Sequence, residues 1–364
     1  MSRGPGALRV GLDATPAIVG MSGLRHYAAV TVNTLRARDD VDLHVFGAGR
    51  GPAPEVSLRR LPVPLRVLQA SWRLTGRPRA EDVVGDVDVV HSLDLMPPPT
   101  RRPLVVTVMD ALALTHPQFF TERVRAEQEV HLAAARRAEI VVTGCQATAD
   151  ELARVGDIDP ARLMVTPYGR LPRDDVAAPG RAHPGPYLLS VSTVEPRKGY
   201  ELLAEAVAKL PGCPPVLVAG PDGYRGEEIR TQAEAIAGAG RVRFLGDVRD
   251  PARLAALYRD ATLVVQPSHA EGFGFPVLEA MGVGAAVLAS DIPQAVEVGG
   301  DAVEVFRAGD AESLAAALER LLADDARRAE LGRRARERAA ESTWERTAEH
   351  LVRAYRRAAG ARGD

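Results

Sequence analysis

Short apolar runs rich in β-branched residues alternate with helical patterns along almost the whole chain. Strands joined by helices are typical of βαβ units, which build a parallel sheet covered by helices. The first half therefore predicts strands near 8–14, 42–46, 87–92, 104–108, 140–143 and 163–166, with helices near 23–38, 122–137 and 149–155. Thr148 and Glu151 fit a capping box at the start of the last of these helices.

The alternation stops between residues 167 and 186, where proline, glycine and charged residues predict an exposed linker. It then restarts, with strands predicted near 187–193, 216–219, 242–245, 263–266, 286–289 and 303–306, and helical stretches at 311–338 and 343–359. A chain of 364 residues suits two domains, here 1–170 and 185–342. The predicted class is α/β, with ligands at the carboxyl ends of the strands.

Composition narrows the range of partners. The net charge of −2 gives no general attraction to nucleic acid. Cys145 and Cys213 stand alone, without the spacing of a metal site or a disulfide framework. The first residues lack the apolar core of a signal peptide, and no apolar run approaches the ~20 residues of a membrane span. We therefore expect a soluble cytoplasmic protein without a metal or cofactor.

The segment 269–284 follows a predicted strand and has the features of a phosphate-binding helix start. Pro276 suits the first helical position, and the amide groups of Val277 and Leu278 are expected to point out of the helix, free to bind phosphate. Gly272 and Gly274 allow a ligand close to the backbone.

Two carboxylates flank this helix start. Glu271 precedes it and Glu279 lies within it, and phosphate would repel both. They are therefore expected to accept hydrogen bonds from hydroxyl groups on either side of a phosphate, which describes a nucleotide-sugar. Lys198 adds a cation, and it is notable because Lys209 is the only other lysine in this arginine-rich chain.

Four blocks carry a resemblance to a known family: 191–199, 242–246, 267–279 and 289–301, with Ser342–Glu345 as a fifth, shorter match. In this order they resemble the C-terminal half of the family 4 glycosyltransferases. The resemblance covers most of residues 160–360 and is looser in the first half. It implies the GT-B fold, with two Rossmann-like doubly wound domains facing a cleft, and sugar transfer with retention. It also implies that the last helix, 343–360, packs back on the first domain.

The resemblance implies a role for each matching position. Glu271 would face the donor sugar, Glu279 would hold the ribose, and Arg197 with Lys198 would neutralise the leaving diphosphate, so that no metal is needed. The remaining donor-binding candidates are Gly23, Leu245, Gly274, Phe275, Pro276, Val277 and Leu278.

The chain differs from many family members at one positively charged position. Ser192 and Thr193 replace a common Gly-Arg pair, and a subgroup with mannosyl- and rhamnosyltransferase-like members is similar here. Arg197 would then supply the second charge, and GDP-mannose or a dTDP-deoxysugar is the expected donor.

The first half supplies the candidates for the acceptor side. The loop 19–27 resembles a glycine-rich loop that closes on donor and acceptor, with Gly20 and Gly23 as its flexible positions, although a plain β–α turn also explains it. Met109 stands where many members have a histidine, and methionine cannot shuttle a proton. Asp110 is the candidate proton acceptor beside it.

Two histidines, His91 and His116, are further candidates for a place in the cleft, and a structural role is equally open for each. The arginine-rich region 58–79 could contact anionic lipid at the inner membrane face, or form a solvated helix and loop. The acceptor is open between a small molecule, a lipid and a polysaccharide. A non-catalytic partner subunit and a nucleotide-sugar hydrolase or epimerase are the alternatives to a transferase.

Overall fold

The computed structural model describes residues 6–20, 22–51, 53, 56–93, 96–170 and 180–360. The chain divides into two compact units. Unit 1 comprises residues 1–115, 122–169 and 343–364, and unit 2 comprises residues 116–121 and 170–342.

Unit 1 contains a seven-stranded sheet in the order β3-β2-β1-β4-β5-β6-β7, and its strand pairs are parallel. Its strands are β1 (Leu8–Asp13), β2 (Val41–Ala48), β3 (Arg59–Leu61), β4 (Val89–Ser92), β5 (Leu104–Thr107), β6 (Ile140–Thr143) and β7 (Leu163–Val165). Its helices are α1 (Pro16–Val19), α2 (Ser22–Arg36), α3 (Leu65–Thr75), α4 (Ala80–Val84), α5 (Leu112–Thr115), α6 (Glu122–Ala135), α7 (Gln146–Val155) and α15 (Trp344–Gly360).

Unit 2 contains a six-stranded parallel sheet in the order β10-β9-β8-β11-β12-β13. Its strands are β8 (Leu188–Val191), β9 (Val216–Ala219), β10 (Val242–Gly246), β11 (Leu263–Gln266), β12 (Val287–Ser290) and β13 (Glu304–Phe306). Its helices are α8 (Tyr200–Ala208), α9 (Gly226–Ala237), α10 (Pro251–Asp260), α11 (Phe275–Gly282), α12 (Pro293–Gly299), α13 (Ala311–Ala323) and α14 (Asp325–Ala339).

The last helix, α15, belongs to unit 1 although it follows unit 2 in sequence. It contacts α2 and the strands β4, β5 and β6. Its buried face includes Leu351, Val352 and Tyr355, at helical spacing. Thr347 Oγ1 donates a hydrogen bond to the Pro167 carbonyl at 2.6 Å, which ties the helix to the end of the first half.

Three local expectations from the sequence are corrected. The capping box at Thr148 is wrong, because α7 begins earlier, at Gln146 after Cys145, and Thr148 is buried inside it. The stretch 311–338 is two helices, divided at Asp324, whose side chain accepts from the Arg327 amide at 2.8 Å and caps α14. The short edge strand β3 was not predicted, since its arginine-rich sequence lacks strand character.

Candidate active site

The carboxyl ends of β8 and β11 lie side by side in the sheet of unit 2, although β9 and β10 separate them in sequence. The chain leaves these two strands in opposite directions along the sheet. Such a topological switch point leaves a crevice outside the strand ends, where open α/β sheets bind ligands. Arg197 and Lys198 follow β8, and Glu271 follows β11, so the fold brings these three predicted site residues to the crevice.

Glu271 is the centre of a buried charge cluster. Lys198 Nζ donates to Glu271 Oε1 at 2.7 Å, and Arg197 Nη1 donates to Oε2 at 2.9 Å. Ser268 Oγ and Gln266 Nε2 also donate to Oε1, at 2.7 and 3.0 Å. Lys198 and Glu271 are each only 5% exposed.

The pKa of these groups follows from burial and from the neighbouring charges. Burial alone would raise the pKa of Glu271, but Lys198 and Arg197 together outweigh it and lower the pKa to about 2. For Lys198, burial and the charge of Arg197 lower the pKa, and Glu271 opposes them. Glu271 is therefore ionised at neutral pH and serves as counter-ion to both cations.

Arg197 has a second carboxylate partner. Its Nη2 lies 2.7 Å from Glu195 Oε1, so the cluster contains two cations and two carboxylates. Its net charge is therefore zero, and an incoming anion must compete with Glu195 or Glu271 for the guanidinium. Glu195 is 22% exposed at its side chain, whereas Glu271 is 7% exposed, so Glu195 is the carboxylate that solvent reaches more readily.

The two loops of the crevice are held close together by their backbones. The amide of His269 donates to the Arg197 carbonyl at 2.8 Å. Gly199 has a φ of +68°, and a Cβ there would lie 2.1 Å from the Pro267 carbonyl oxygen. Glycine is therefore required at this position, because a side chain would force the loop after β8 away from the loop after β11.

Helix α11 begins beside this cluster. Gly274 precedes it with a φ of +104° and open space at its Cβ position, as expected for close approach of a ligand. However, the Gly274 carbonyl accepts from the amides of Val277 and Leu278, at 3.0 and 3.2 Å. The expectation that these two amides are free is therefore wrong. Pro276 is the second helical residue, because α11 starts at Phe275.

Glu279 lies in α11 and is 8% exposed. The hydroxyl of Tyr258, on α10, donates to its Oε2 at 2.9 Å. This bond fixes the carboxylate and leaves it with further acceptor capacity for a hydroxyl ligand. Leu245, the remaining donor-side candidate, is half-buried in the edge strand β10.

The candidates in unit 1 divide between buried and accessible positions. His91 is fully buried in the central strand β4, where Tyr355 OH contacts its Nδ1 at 2.7 Å and Thr107 Oγ1 contacts its Nε2 at 2.8 Å. Burial lowers its pKa to about 3. Of the two roles left open for His91, the structure therefore supports the structural one and contradicts a place in an open cleft, because a central parallel strand is covered on both faces.

Met109 and Asp110 follow β5 and are half-buried. Asp110 Oδ1 accepts from the Leu112 amide at 3.1 Å and from Gln128 Nε2 at 3.2 Å. This is the pattern of an Asx turn at the start of α5. Asp110 therefore has a local structural role, and its proposed role as proton acceptor stays a prediction.

The glycine positions of the loop 19–27 differ from each other. Gly20 ends α1, and a Cβ there would lie 2.4 Å from the Pro16 carbonyl oxygen, so local packing requires this glycine. Gly23 lies in the first turn of α2 with nothing near its Cβ position. Only Gly23 therefore has open space beside it.

His116 belongs to unit 2, not to the unit that its sequence position suggests. Its ring stacks on Phe119 at 6.2 Å between centroids, and Phe119 stacks on His269 at 5.5 Å. Burial, together with the charge of His116, lowers the pKa of His269. The stack places His116 next to the loop that carries Glu271.

Four residues of this site were not predicted: Glu195, Tyr258, Gln266 and Ser268. Polar residues at the end of the apolar strand β11 were a signal for Gln266 and Ser268. No feature of the sequence indicated Tyr258, because it lies on a different helix from its partner Glu279. Among the described residues, no group of three or more His, Cys, Asp or Glu side chains is placed to hold a metal.

Comparison with known proteins agrees with this geometry. The model of the family described as Glycosyl transferases group 1 matches residues 173–338. D-inositol 3-phosphate glycosyltransferase of Gordonia bronchialis is 34% identical over 260 residues, which cover 65% of this chain and 55% of the relative. Phosphatidyl-myo-inositol mannosyltransferase of Mycolicibacterium smegmatis is 37% identical over 173 residues, covering 46% of this chain and 44% of the relative.

Solved structures agree with the fold. Sucrose-phosphate synthase from Thermosynechococcus elongatus superposes with a TM-score of 0.75 at 23% identity, over 96% of this chain and 98% of that one. WaaG, a glycosyltransferase involved in lipopolysaccharide biosynthesis, gives a TM-score of 0.67 at 20% identity, over 90% of this chain and 95% of WaaG.

The two parallel sheets and the charged crevice define a two-domain α/β protein of the GT-B fold. Residues 173–338, most of unit 2, match the group 1 glycosyl transferases, and the curated relatives named above are glycosyltransferases of similar sequence. The matched regions span about half the length of these curated relatives, at 55% and 44%.

Proposed function

We propose that this protein transfers a sugar from a nucleoside-diphosphate sugar to a hydroxyl acceptor, with retention of the anomeric configuration and without a metal. The observation that carries the proposal is the buried cluster of Arg197, Lys198 and Glu271 at the switch point of unit 2. The two cations can face a diphosphate, and Glu271 can accept hydrogen bonds from a sugar, next to a helix start with open space beside Gly274.

The proposed mechanism follows from the negative charge that develops on the leaving nucleoside diphosphate. The bond between the anomeric carbon and the β-phosphate oxygen breaks, and its electron pair leaves with the nucleoside diphosphate. Fixed cations stabilise that charge without reorganisation, which is the role of Arg197 and Lys198 in this proposal. The acceptor oxygen forms the new bond on the same face, and its proton passes to the leaving phosphate oxygen. Glu271 and Glu279 accept hydrogen bonds from the sugar and ribose hydroxyls.

The names of the relatives favour a mannosyl donor. They include a phosphatidyl-myo-inositol mannosyltransferase and an O-antigen chain mannosyltransferase B from Escherichia coli, 33% identical over 174 residues, covering 47% of this chain and 45% of the relative. We therefore propose GDP-mannose first and a dTDP-deoxysugar second. The acceptor is a small molecule, a lipid-linked sugar or a polysaccharide.

The two lysines of the chain, one buried in the site and one at the surface, provide the test. Lys198→Met removes a buried cation of the site, whereas Lys209→Met removes a lysine that is 44% exposed and pairs with Glu312. With GDP-mannose, dTDP-rhamnose and a panel of acceptors, we expect Lys198→Met to lower kcat/KM by about a hundredfold or more, and Lys209→Met to leave it unchanged. Equal activity of both variants would remove the leaving-group role of Lys198. An inverted anomeric product in the NMR spectrum would exclude retention.

Met109 motivates an alternative, because it stands where the resemblance places a histidine. A non-catalytic partner subunit would bind nucleotide and turn over no donor with any acceptor. A hydrolase or epimerase would consume the donor without an acceptor. The same assay, run with donor alone, separates these outcomes.

Contact with a membrane stays a prediction, as does a cytoplasmic location. In the region 58–79, Leu68 and Trp72 are buried, while Val67 and Leu74 of α3 are 57% and 85% exposed. Among the described helices, none is both long enough and apolar enough to cross a bilayer.

A further inference from the structure

Unit 1 contains a cavity of about 570 Å³ away from the carboxyl ends of its strands. Leu104 at the start of β5 and Glu139 just before β6 line it, so it opens at the amino edge of the sheet. The C-terminal parts of α3 and α6 form its sides. Its volume falls within the range of roughly 300–1,000 Å³ that is typical of small-molecule sites. No residue assigned above to the donor site lines it.

The side chains of two arginines that line the cavity are not engaged elsewhere. Within the part of the chain that the structure describes, neither Arg73 on α3 nor Arg137 after α6 makes a side-chain hydrogen bond or ion pair. The other charged groups of the lining are engaged: Arg102 pairs with Asp86, and Glu139 Oε2 accepts from the Leu104 amide at 2.7 Å. The lining contains three arginines and one carboxylate, Glu139, so it keeps an excess of positive charge that favours an anion with several oxygens.

Apart from Thr100, the remaining lining is largely apolar. Trp72 and Met96 form part of it, and Val130 is 42% exposed on α6. A run of three prolines, 97–99, completes this wall. Apolar surface beside these arginines matches a ligand that has an anionic head and a hydrocarbon body. An anion alone would not contact the apolar wall, and a hydrocarbon alone would not pair with the arginines.

We propose that this cavity binds an anionic amphiphile, namely a phosphate monoester that carries an alkyl or prenyl chain. Arg73 and Arg137 hold the phosphate, and the chain lies against Trp72, Met96 and Val130. The site goes beyond glycosyl transfer and does not depend on it, because the residues of the donor crevice belong to unit 2.

Binding of octyl phosphate, kept below its micelle concentration, tests the proposal by calorimetry on the full chain. We expect Arg73→Gln and Arg137→Gln each to weaken binding by about tenfold, as for loss of one charge-assisted contact. Arg66→Gln is the matched control, because Arg66 lies exposed on the same helix α3 but does not line the cavity. Val130→Ser should also weaken binding, whereas Val124→Ser, on the same helix α6, should not.

Three comparisons test which chemical features of the ligand the cavity recognises. Inorganic phosphate that binds as tightly as octyl phosphate would overturn the role of the apolar wall, and octanol that binds as tightly would overturn the role of the arginines. Vesicles of phosphatidylcholine with and without phosphatidylglycerol form the last arm. Binding to anionic vesicles that Arg73→Gln and Arg137→Gln leave unchanged, without binding of octyl phosphate, would show adsorption elsewhere on the surface and overturn the proposal. Unchanged melting temperatures verify that the variants are folded.

Discussion

At the scale of single residues, Arg197 lies between Glu195 and Glu271, and both carboxylates compete with a diphosphate for its positive charge. Glu271 is also held by Lys198, Ser268 and Gln266, so the bond to the more exposed Glu195 is the weaker restraint. Glu195 therefore acts as an internal competitor for the anion and sets how readily Arg197 becomes available.

Glu195→Gln should accordingly tighten the binding of a nucleoside diphosphate. The amide keeps the shape of the side chain but removes the negative charge, and we expect about a fivefold lower Kd for GDP or dTDP. Calorimetry measures the change. Glu304→Gln is the control, since Glu304 also pairs with two arginines of unit 2, Arg320 and Arg327, but lies in the edge strand β13, outside the donor cluster. An unchanged Kd for Glu195→Gln would show that Glu195 does not compete with the nucleotide for Arg197.

At the scale of elements, α15 is fastened to the sheet of unit 1 by one buried polar chain. Tyr355 OH contacts His91 Nδ1, and His91 Nε2 contacts Thr107 Oγ1, so helix α15 and strands β4 and β5 share one hydrogen-bonded path. All three side chains are at most 2% exposed. The path explains why a histidine stands in a central strand.

Tyr355→Phe should destabilise unit 1 by about 1–3 kcal/mol, because it leaves a buried ring nitrogen of His91 without its partner. The chain contains two tryptophans, Trp72 and Trp344, and both lie in unit 1, so tryptophan fluorescence during urea unfolding reports on this unit. Tyr224→Phe, at a residue 48% exposed in unit 2, is the control. A urea midpoint unchanged by Tyr355→Phe would contradict the role of this bond.

At the scale of the whole molecule, buried titratable groups make unit 1 sensitive to acid. Burial lowers the pKa of His91 to about 3 and that of His131 to about 4. Burial raises the pKa of Asp13 to about 6, against hydrogen bonds from Thr15 and Ser92. Between pH 6.5 and pH 4 both of these histidines are mostly protonated in the unfolded chain, whereas the folded unit takes up its proton mainly on Asp13, and His131 follows only near pH 4.

The unfolded state therefore binds about one proton more over this window, and stability falls as the pH falls. We expect unit 1 to lose roughly 3 kcal/mol between pH 6.5 and pH 4, measured by urea unfolding with tryptophan fluorescence. His131→Gln should reduce this loss, because it removes one of the two protons. An equal loss of stability in His131→Gln would contradict the assignment of this proton uptake to His131.

In unit 2, Glu271 contributes stability above its unfolded pKa, and this stability is lost only as the pH falls below about 4 toward 2.

The sequence by itself determined the α/β class, the two sets of alternating strands and helices, and the blocks that carry Arg197, Lys198, Glu271 and Glu279. These features are local, because hydrophobic periodicity and short motifs depend on neighbouring residues. The sequence also predicted that Arg197, Lys198 and Glu271 belong to one donor site, whereas their direct pairing is visible only in the tertiary structure.

Only the tertiary structure decided which polar groups find partners distant in sequence. It buried His91 against Tyr355 of the last helix, 264 residues away, and it placed His116 with unit 2. It also joined Tyr258 to Glu279, which lie on different helices. Such outcomes depend on packing and on the requirement that buried polar groups be satisfied, which no local pattern encodes.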